Sequence, residues 1–242
     1  MKLITLNSWG ARIKAPFVEF IKKHKDTDIF CFQEIYDKAG EILGKEYPES
    51  SHDLFTELHT LLPEHNGFFR PALQGVYGIA IFIKKEYPVL EEGEVLIHGR
   101  NQPGTVNDGH HDRNLQWVKF GYGKKVFTVM NVHGLWNGKG KNDAPERIAQ
   151  SKIIRECMDR ALSPKILCGD FNLNPDTESI KIVEEGMRNL VKDYSVNSTR
   201  TSLYEKPGKF ADYIFTSPDI KVKDFKVLPE EVSDHSALYL EI

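Results

Sequence analysis

This chain of 242 residues is short of cysteine, of long apolar runs and of surplus positive charge. Its three cysteines are Cys31, Cys157 and Cys168. An odd number, with two of them inside apolar strand-like runs, reads as reduced, buried thiols, and a cytoplasmic chain is the default expectation. No apolar stretch approaches the roughly twenty residues of a membrane span. The opening MKLITLNSWG alternates too early to be the core of a secretory signal, so no stable membrane association is expected. Lys and Arg number 32 against 35 Asp and Glu, a formal charge of −3. That speaks against coating nucleic acid indiscriminately, though not against a local basic groove.

What is present is ordinary globular composition, 40% hydrophobic and 28% charged, enough for one sizeable core. Strand-like runs rich in β-branched and aromatic residues fall at 2–7, 28–33, 77–84, 115–120, 125–132, 165–169, 212–217, 220–228 and 235–242. Helical periodicity appears at 16–25, opened by Pro16, at 52–62 and at 144–161, where Ile148, Ile153, Ile154, Cys157, Met158 and Ala161 make a stripe. A short helix at 177–186 ends on Gly186. Nothing resembles a linker or a repeat. The expectation is one α+β domain over 1–242, monomeric by default. Its longest irregular stretch, 98–114, is of a length more often functional than accidental. The doublet His110–His111 within it reads as solvated rather than metal-binding.

The run ILCGDFNLNPD at 166–176 leaves an apolar strand for a turn bearing Asp170 and Asn172. Residues i and i+2 leaving a strand point the same way. Other strands also end in reactive groups: Asn7, Glu34 and His133 follow apolar runs, while Asp212 and the pair Asp234–His235 precede them. Each alone is an ordinary turn former. If the last two strands run antiparallel to the others, all these residues reach one edge. Glu34, Asp170, Asp212 and Asp234 would then share a cleft, and their repulsion calls for a hard cation. Magnesium suits oxygen donors and a phosphate substrate, with manganese as a substitute, whereas no paired Cys/His spacing favours zinc.

In this order, TLNSWG, FQEIYD, GVYGIAIF, NVHGLW, GDFNLNP, ADYIF and SDH resemble the motifs of the endonuclease/exonuclease/phosphatase superfamily. The resemblance covers essentially the whole chain. It implies a four-layer α/β sandwich, two mixed β-sheets face to face with helices outside. It further implies Glu34 as the main metal ligand, with Asn7 and Asp234 supporting that site. Asp170 would activate water, Asn172 would hold it and the phosphate, and His133 would approach the phosphate or leaving group. His235 would contact phosphoryl oxygens, oriented by Asp212. Many relatives carry a basic residue two positions before the aspartate of the DY motif, where this chain has Phe210.

The implied activity is metal-dependent hydrolysis of a phosphodiester, with nucleic acid, DNA or RNA, favoured because Trp9, Tyr77 and Trp136 could stack on bases. Lys139 and Lys141, just after His133, could steer phosphate, although a charged solvated loop is the commoner meaning. The alternatives are a phosphatase or phosphodiesterase acting on an inositol phosphate or lipid headgroup, and a catalytically silent binding module.

Overall fold

Parallel pairing at the centre of two sheets determines which strand ends meet. The structure, a computed structural model, describes residues 1–99 and 111–242. In chain order the elements are β1 (Lys2–Asn7), a 3-10 turn at Trp9–Ala11, α1 (Lys14–Lys23), β2 (Ile29–Tyr36), α2 (Gly40–Leu43), α3 (Leu54–Leu61), β3 (His65–Leu73) and β4 (Tyr77–Lys84). Then come β5 (Val89–His98), β6 (Arg113–Tyr122), β7 (Lys125–His133), α4 (Pro145–Arg160), β8 (Lys165–Asp170) and α5 (Glu178–Glu184). The chain closes with β9 (Arg188–Asn189), α6 (Leu190–Asp193), β10 (Asp212–Thr216), β11 (Asp224–Val227) and β12 (Leu238–Glu241).

The strands form two six-stranded sheets, ordered β11-β12-β1-β2-β4-β3 and β5-β6-β7-β8-β10-β9. Among the described residues only β1–β2 and β7–β8 pair in parallel; the other neighbours are antiparallel. The C-terminal ends of β1, β2, β7 and β8 therefore share an edge with the N-terminal ends of β10 and β12. That is the arrangement the strand-end residues required.

One apolar cluster joins Leu3, Cys31 and Ile81 of the first sheet to Val118, Val132 and Cys168 of the second, and continues to Ile154 and Met158 of α4. A second covers the first sheet with Phe17, Phe20 and Ile21 of α1 and Leu54 and Leu58 of α3. Layering is thus helix, sheet, sheet, helix, the expected four-layer sandwich. Among the described residues no helix is long and apolar enough to cross a membrane.

Three readings of the sequence are corrected. Strands β3 and β5 were not expected. Gly67 and Pro71 make β3 look like a turn, but it is the outer strand of its sheet, where a missing N–H costs no ladder bond. Of the stretch 98–114, expected to be irregular, His98 belongs to β5 and Arg113 and Asn114 to β6, while residues 100–110 lie outside the described residues. Helix α1 begins at Lys14, placing Pro16 at its third residue, still in the first turn where proline is tolerated.

Candidate active site

In the second sheet the register sets His133 beside Asp170, and Asp170 beside Asp212. Paired residues in a ladder project to the same face. This close fit depends on Gly169, whose φ is +132° and where a Cβ would stand 2.1 Å from the Val132 carbonyl oxygen. Asp170 is buried at the meeting point. Its Oδ1 accepts the Asn172 backbone N–H at 2.8 Å, and its Oδ2 accepts from Asn7 Nδ2 at 3.0 Å. The Nε2 atoms of His235 and His133 lie 3.6 and 3.7 Å from the same oxygen. On its other side His235 places Nδ1 2.9 Å from both Asp212 carboxylate oxygens. Asn172, in the left-handed region at φ +54°, donates its side-chain amide to the Gly134 carbonyl at 3.3 Å.

The first sheet contributes Asn7 and Glu34. Asn7 Nδ2 donates to Glu34 Oε1 at 2.9 Å as well as to Asp170, and its Oδ1 accepts the Trp9 N–H at 3.0 Å. Asn7 therefore ties two carboxylates from opposite sheets together through its nitrogen. Strict alternation would send Glu34 away from the inward-facing Gln33. A bulge between Gln33 and Ile35, with Glu34 at φ +58°, turns it into the cleft. Beneath it, Gln33 Nε2 donates to Asn131 Oδ1 at 2.6 Å, and Asn131 Nδ2 donates to the Phe32 and Ala80 carbonyls. These two amides of the FQE and NVH motifs bridge the sheets.

Electrostatics separates the roles. Burial, then the Asp234 charge, raises the Glu34 carboxyl above the usual glutamate range, against the hydrogen bond from Asn7. Burial would also raise Asp170, but His235, His133, Lys141 and Arg200 together hold it well below the usual carboxylate range. Burial, then Arg113, pushes His133 well below an ordinary histidine, with Asp170 opposing. His235 differs. Burial and Arg200 oppose its protonation, yet Asp212, Asp170 and Asp234 outweigh them and its pKa is raised.

A cation fits beside Glu34. That carboxylate is half-buried against like charge, and its neighbours offer oxygen donors. Asp234 Oδ2 is shared with Arg200 Nη1 at 3.2 Å. Asp170, Asp212 and His235 also bring donor atoms within 4.8 Å of one another, but Asp212 and His235 already engage each other.

The cleft has a volume of about 150 Å³. Of the residues expected at the site, Glu34, His133, Asp170, Asn172, Asp234 and His235 line it, with Trp9, Tyr77 and Trp136; Asn7 and Asp212 lie buried behind. Tyr77 is only 1% exposed and packs edge-on against Tyr36 and His111, so packing is part of its role. His111, expected in solvent, is buried with Nδ1 2.8 Å from the Asp112 carbonyl; His110 lies outside the described residues. Lys139 is exposed and does not line the cleft. Lys141, expected in the same solvated loop, is only 4% exposed.

Sequence reasoning missed Arg12, Arg113, Arg200, Tyr204 and Lys206, which complete the lining. Phe210 packs on the main apolar cluster and Lys209 is exposed, so neither brings charge to the cleft. These other cations do. Arg12 lies over Trp9, Arg200 over Tyr204 and Lys206 over Trp136, at 4.9, 3.9 and 5.5 Å from the ring centroids. None belongs to a spaced motif, and only Arg113, directly after a long loop, carried a positional hint. A larger hollow of about 270 Å³, against Trp117, Met130 and Cys157, touches none of the cluster.

Residues 4–235 match the family described as Endonuclease/Exonuclease/phosphatase, and the chain belongs to it. No curated protein matches it by sequence. Among solved structures, a mannosyl-6-phosphatase of Bacteroides thetaiotaomicron is similar at TM-score 0.75 and 20% identity, covering 100% of this chain and 98% of that one. The catalytic domain of human Nocturnin with bound sulfate aligns at TM-score 0.68 and 19% identity, over 99% and 93%. A humanized TDP2 of D. rerio aligns at TM-score 0.72 and 15% identity, over 99% and 97%. At such identities the likeness is one of fold. Family membership makes phosphoester hydrolysis the general activity.

Proposed function

We propose that the chain is a divalent-metal-dependent phosphoesterase using an Asp170-oriented water. The observation that carries the reading is Asp170 itself. It is buried where the polar networks of both sheets join, bonded to Asn7 and the Asn172 backbone and flanked by two imidazoles.

Glu34 and Asp234 would hold magnesium, or manganese in its place, with Asn7 orienting Glu34. When bound, such an ion would supply charge neutralisation for in-line displacement at phosphorus. Asp170, held strongly ionised, accepts a hydrogen bond from the attacking water and aims it. Such a carboxylate is a weak base on its own, so the water's proton passes to Asp170 only as the new P–O bond forms, and the departing oxygen takes up a proton from solvent at the open cleft. Protonated His235, with Arg113, donates to the phosphoryl oxygens as negative charge builds. Asn172 steadies water and phosphate, and neutral His133 faces the leaving side. For a nucleic-acid diester, Trp9 and Trp136 would stack on bases; inositol phosphates, lipid headgroups and phosphorylated sugars need no stacking. The buried Cys31 and Cys168 support a reducing, cytoplasmic setting.

The test is a screen of the purified chain, with magnesium or manganese, against DNA, RNA, inositol phosphates, sugar phosphates and sphingomyelin. Hydrolysis abolished by EDTA and by Asp170→Asn is expected. Turnover that survives both would overturn the reading.

A further inference from the structure

Two loops close one side of the cleft. Residues 134–144 bring Trp136 to its lining and enclose Lys141 behind; residues 198–208 bring Arg200, Tyr204 and Lys206. They touch through Lys206 over Trp136 and through Lys141, whose Nζ lies 5.4 Å from the Tyr204 ring centroid. The first loop is held rigidly from behind. Arg147, 1% exposed, donates to the Gly140 carbonyl at 2.7 Å and the Asn142 carbonyl at 2.5 Å. The Lys141 carbonyl itself accepts the Asn174 N–H at 2.8 Å. Backbone on both sides of Lys141 is thus fixed.

The ammonium at the end of this anchored residue has no hydrogen-bond partner among the described residues and is shielded from solvent. An ammonium carries three donors and is costly to bury unpaired. Asp170, Asp212 and Asp234 attract it and Arg200 repels it, but none of them bonds it. A side chain held in this state on a braced loop lacks an acceptor that a bound anion would provide.

We propose that Lys141, together with Arg200 and Lys206, forms a subsite for a terminal phosphate, so that the ester hydrolysed is a phosphomonoester. A monoester carries close to two negative charges at neutral pH, since its second pKa is about 6. It also offers three equivalent oxygens and one substituent. A diester carries one charge and two substituents, both of which must leave the cleft. Arg12, Arg113, Arg200 and Lys206 line the cleft, and the Lys141 ammonium lies just behind, against the lining Tyr204, in a chain of net charge −3, a local field suited to a small dianion and not to a polyanionic strand. The proposal rests on the phosphoesterase reading of Asp170 and names the substrate class for that site.

The experiment compares p-nitrophenyl phosphate with bis-p-nitrophenyl phosphate under magnesium, and titrates inorganic phosphate by calorimetry. Wild-type protein should favour the monoester in kcat/KM. Lys141→Met should lower the monoester-to-diester ratio about tenfold or more and weaken phosphate binding similarly, the loss of one charged hydrogen bond. Lys206→Ala, at an exposed position, should raise KM for the monoester with kcat nearly kept. A wild-type preference for the diester would overturn the proposal. So would equal losses on both esters in Lys141→Met, or phosphate affinity unchanged in both variants. If wild type cleaves neither ester, the hydrolase reading fails, and the phosphate titration alone decides the subsite.

Discussion

His235 Nδ1 stands 2.9 Å from both oxygens of Asp212, which leaves Nε2 turned toward Asp170 at 3.6 Å. A carboxylate straddled in this way fixes the ring orientation and favours the charged form, which is the form that donates to a phosphoryl oxygen.

This pair should act as one unit. His235→Ala and Asp212→Asn are each expected to lower kcat by about a hundredfold or more, and the double variant should be little worse than the poorer single one. Steady-state kinetics of the three variants decides it. Losses that multiply would show two independent residues.

Asp170→Asn keeps the shape of the side chain but presents an amide where Asn7 and the Asn172 backbone both donate. Turnover should fall at least about a hundredfold while substrate binding survives. A change confined to KM would make Asp170 a binding group.

The Glu34 carboxyl, raised by burial and by Asp234, competes for protons at a higher pH than an ordinary glutamate. Magnesium affinity should therefore weaken as pH falls through that raised range, by about tenfold per pH unit below it, because only the carboxylate binds. Calorimetric titrations at several pH values test this, and Glu34→Gln should bind weakly at all of them. Affinity independent of pH, or retained in Glu34→Gln, would remove Glu34 from the cation site.

Burial pulls Lys141 down from 10.5 to about 8, with Asp170, Asp212 and Asp234 opposing and Arg200 adding to the fall. A lowered ammonium pKa means that the folded state disfavours the charge. The penalty is fully present below about 8 and disappears as pH rises toward 10.5, where the unfolded lysine also becomes neutral. Lys141→Met should thus stabilise the ligand-free protein at pH 7 by the order of 3 kcal/mol, with the gain shrinking toward pH 10. Urea unfolding at the two pH values measures it. A variant no more stable than wild type at pH 7 would contradict the strained state of this lysine.

The sequence alone determined the chemistry at the strand ends. Asp170 and Asn172 could be read because a strand, a glycine and a two-residue polar spacing are local features, and parallel strands carry their C-terminal ends to one edge. Asn7, Glu34, His133, Asp212 and Asp234–His235 were legible for the same reason. Only the tertiary structure decided how those groups are used. Glu34 enters the cleft through a bulge that reverses its alternation, and Asn7 binds carboxylates with its nitrogen because Trp9 occupies its oxygen. The outer strands β3 and β5 were hidden because proline, glycine and glutamate are tolerated where one side of the ladder is free. Lys139 and Lys141 look alike in sequence, yet one is exposed and the other is enclosed beside Tyr204. Burial of a charge depends on what distant loops place around it. Arg113, Arg200 and Lys206 converge from separate parts of the chain, and no local spacing encodes that convergence.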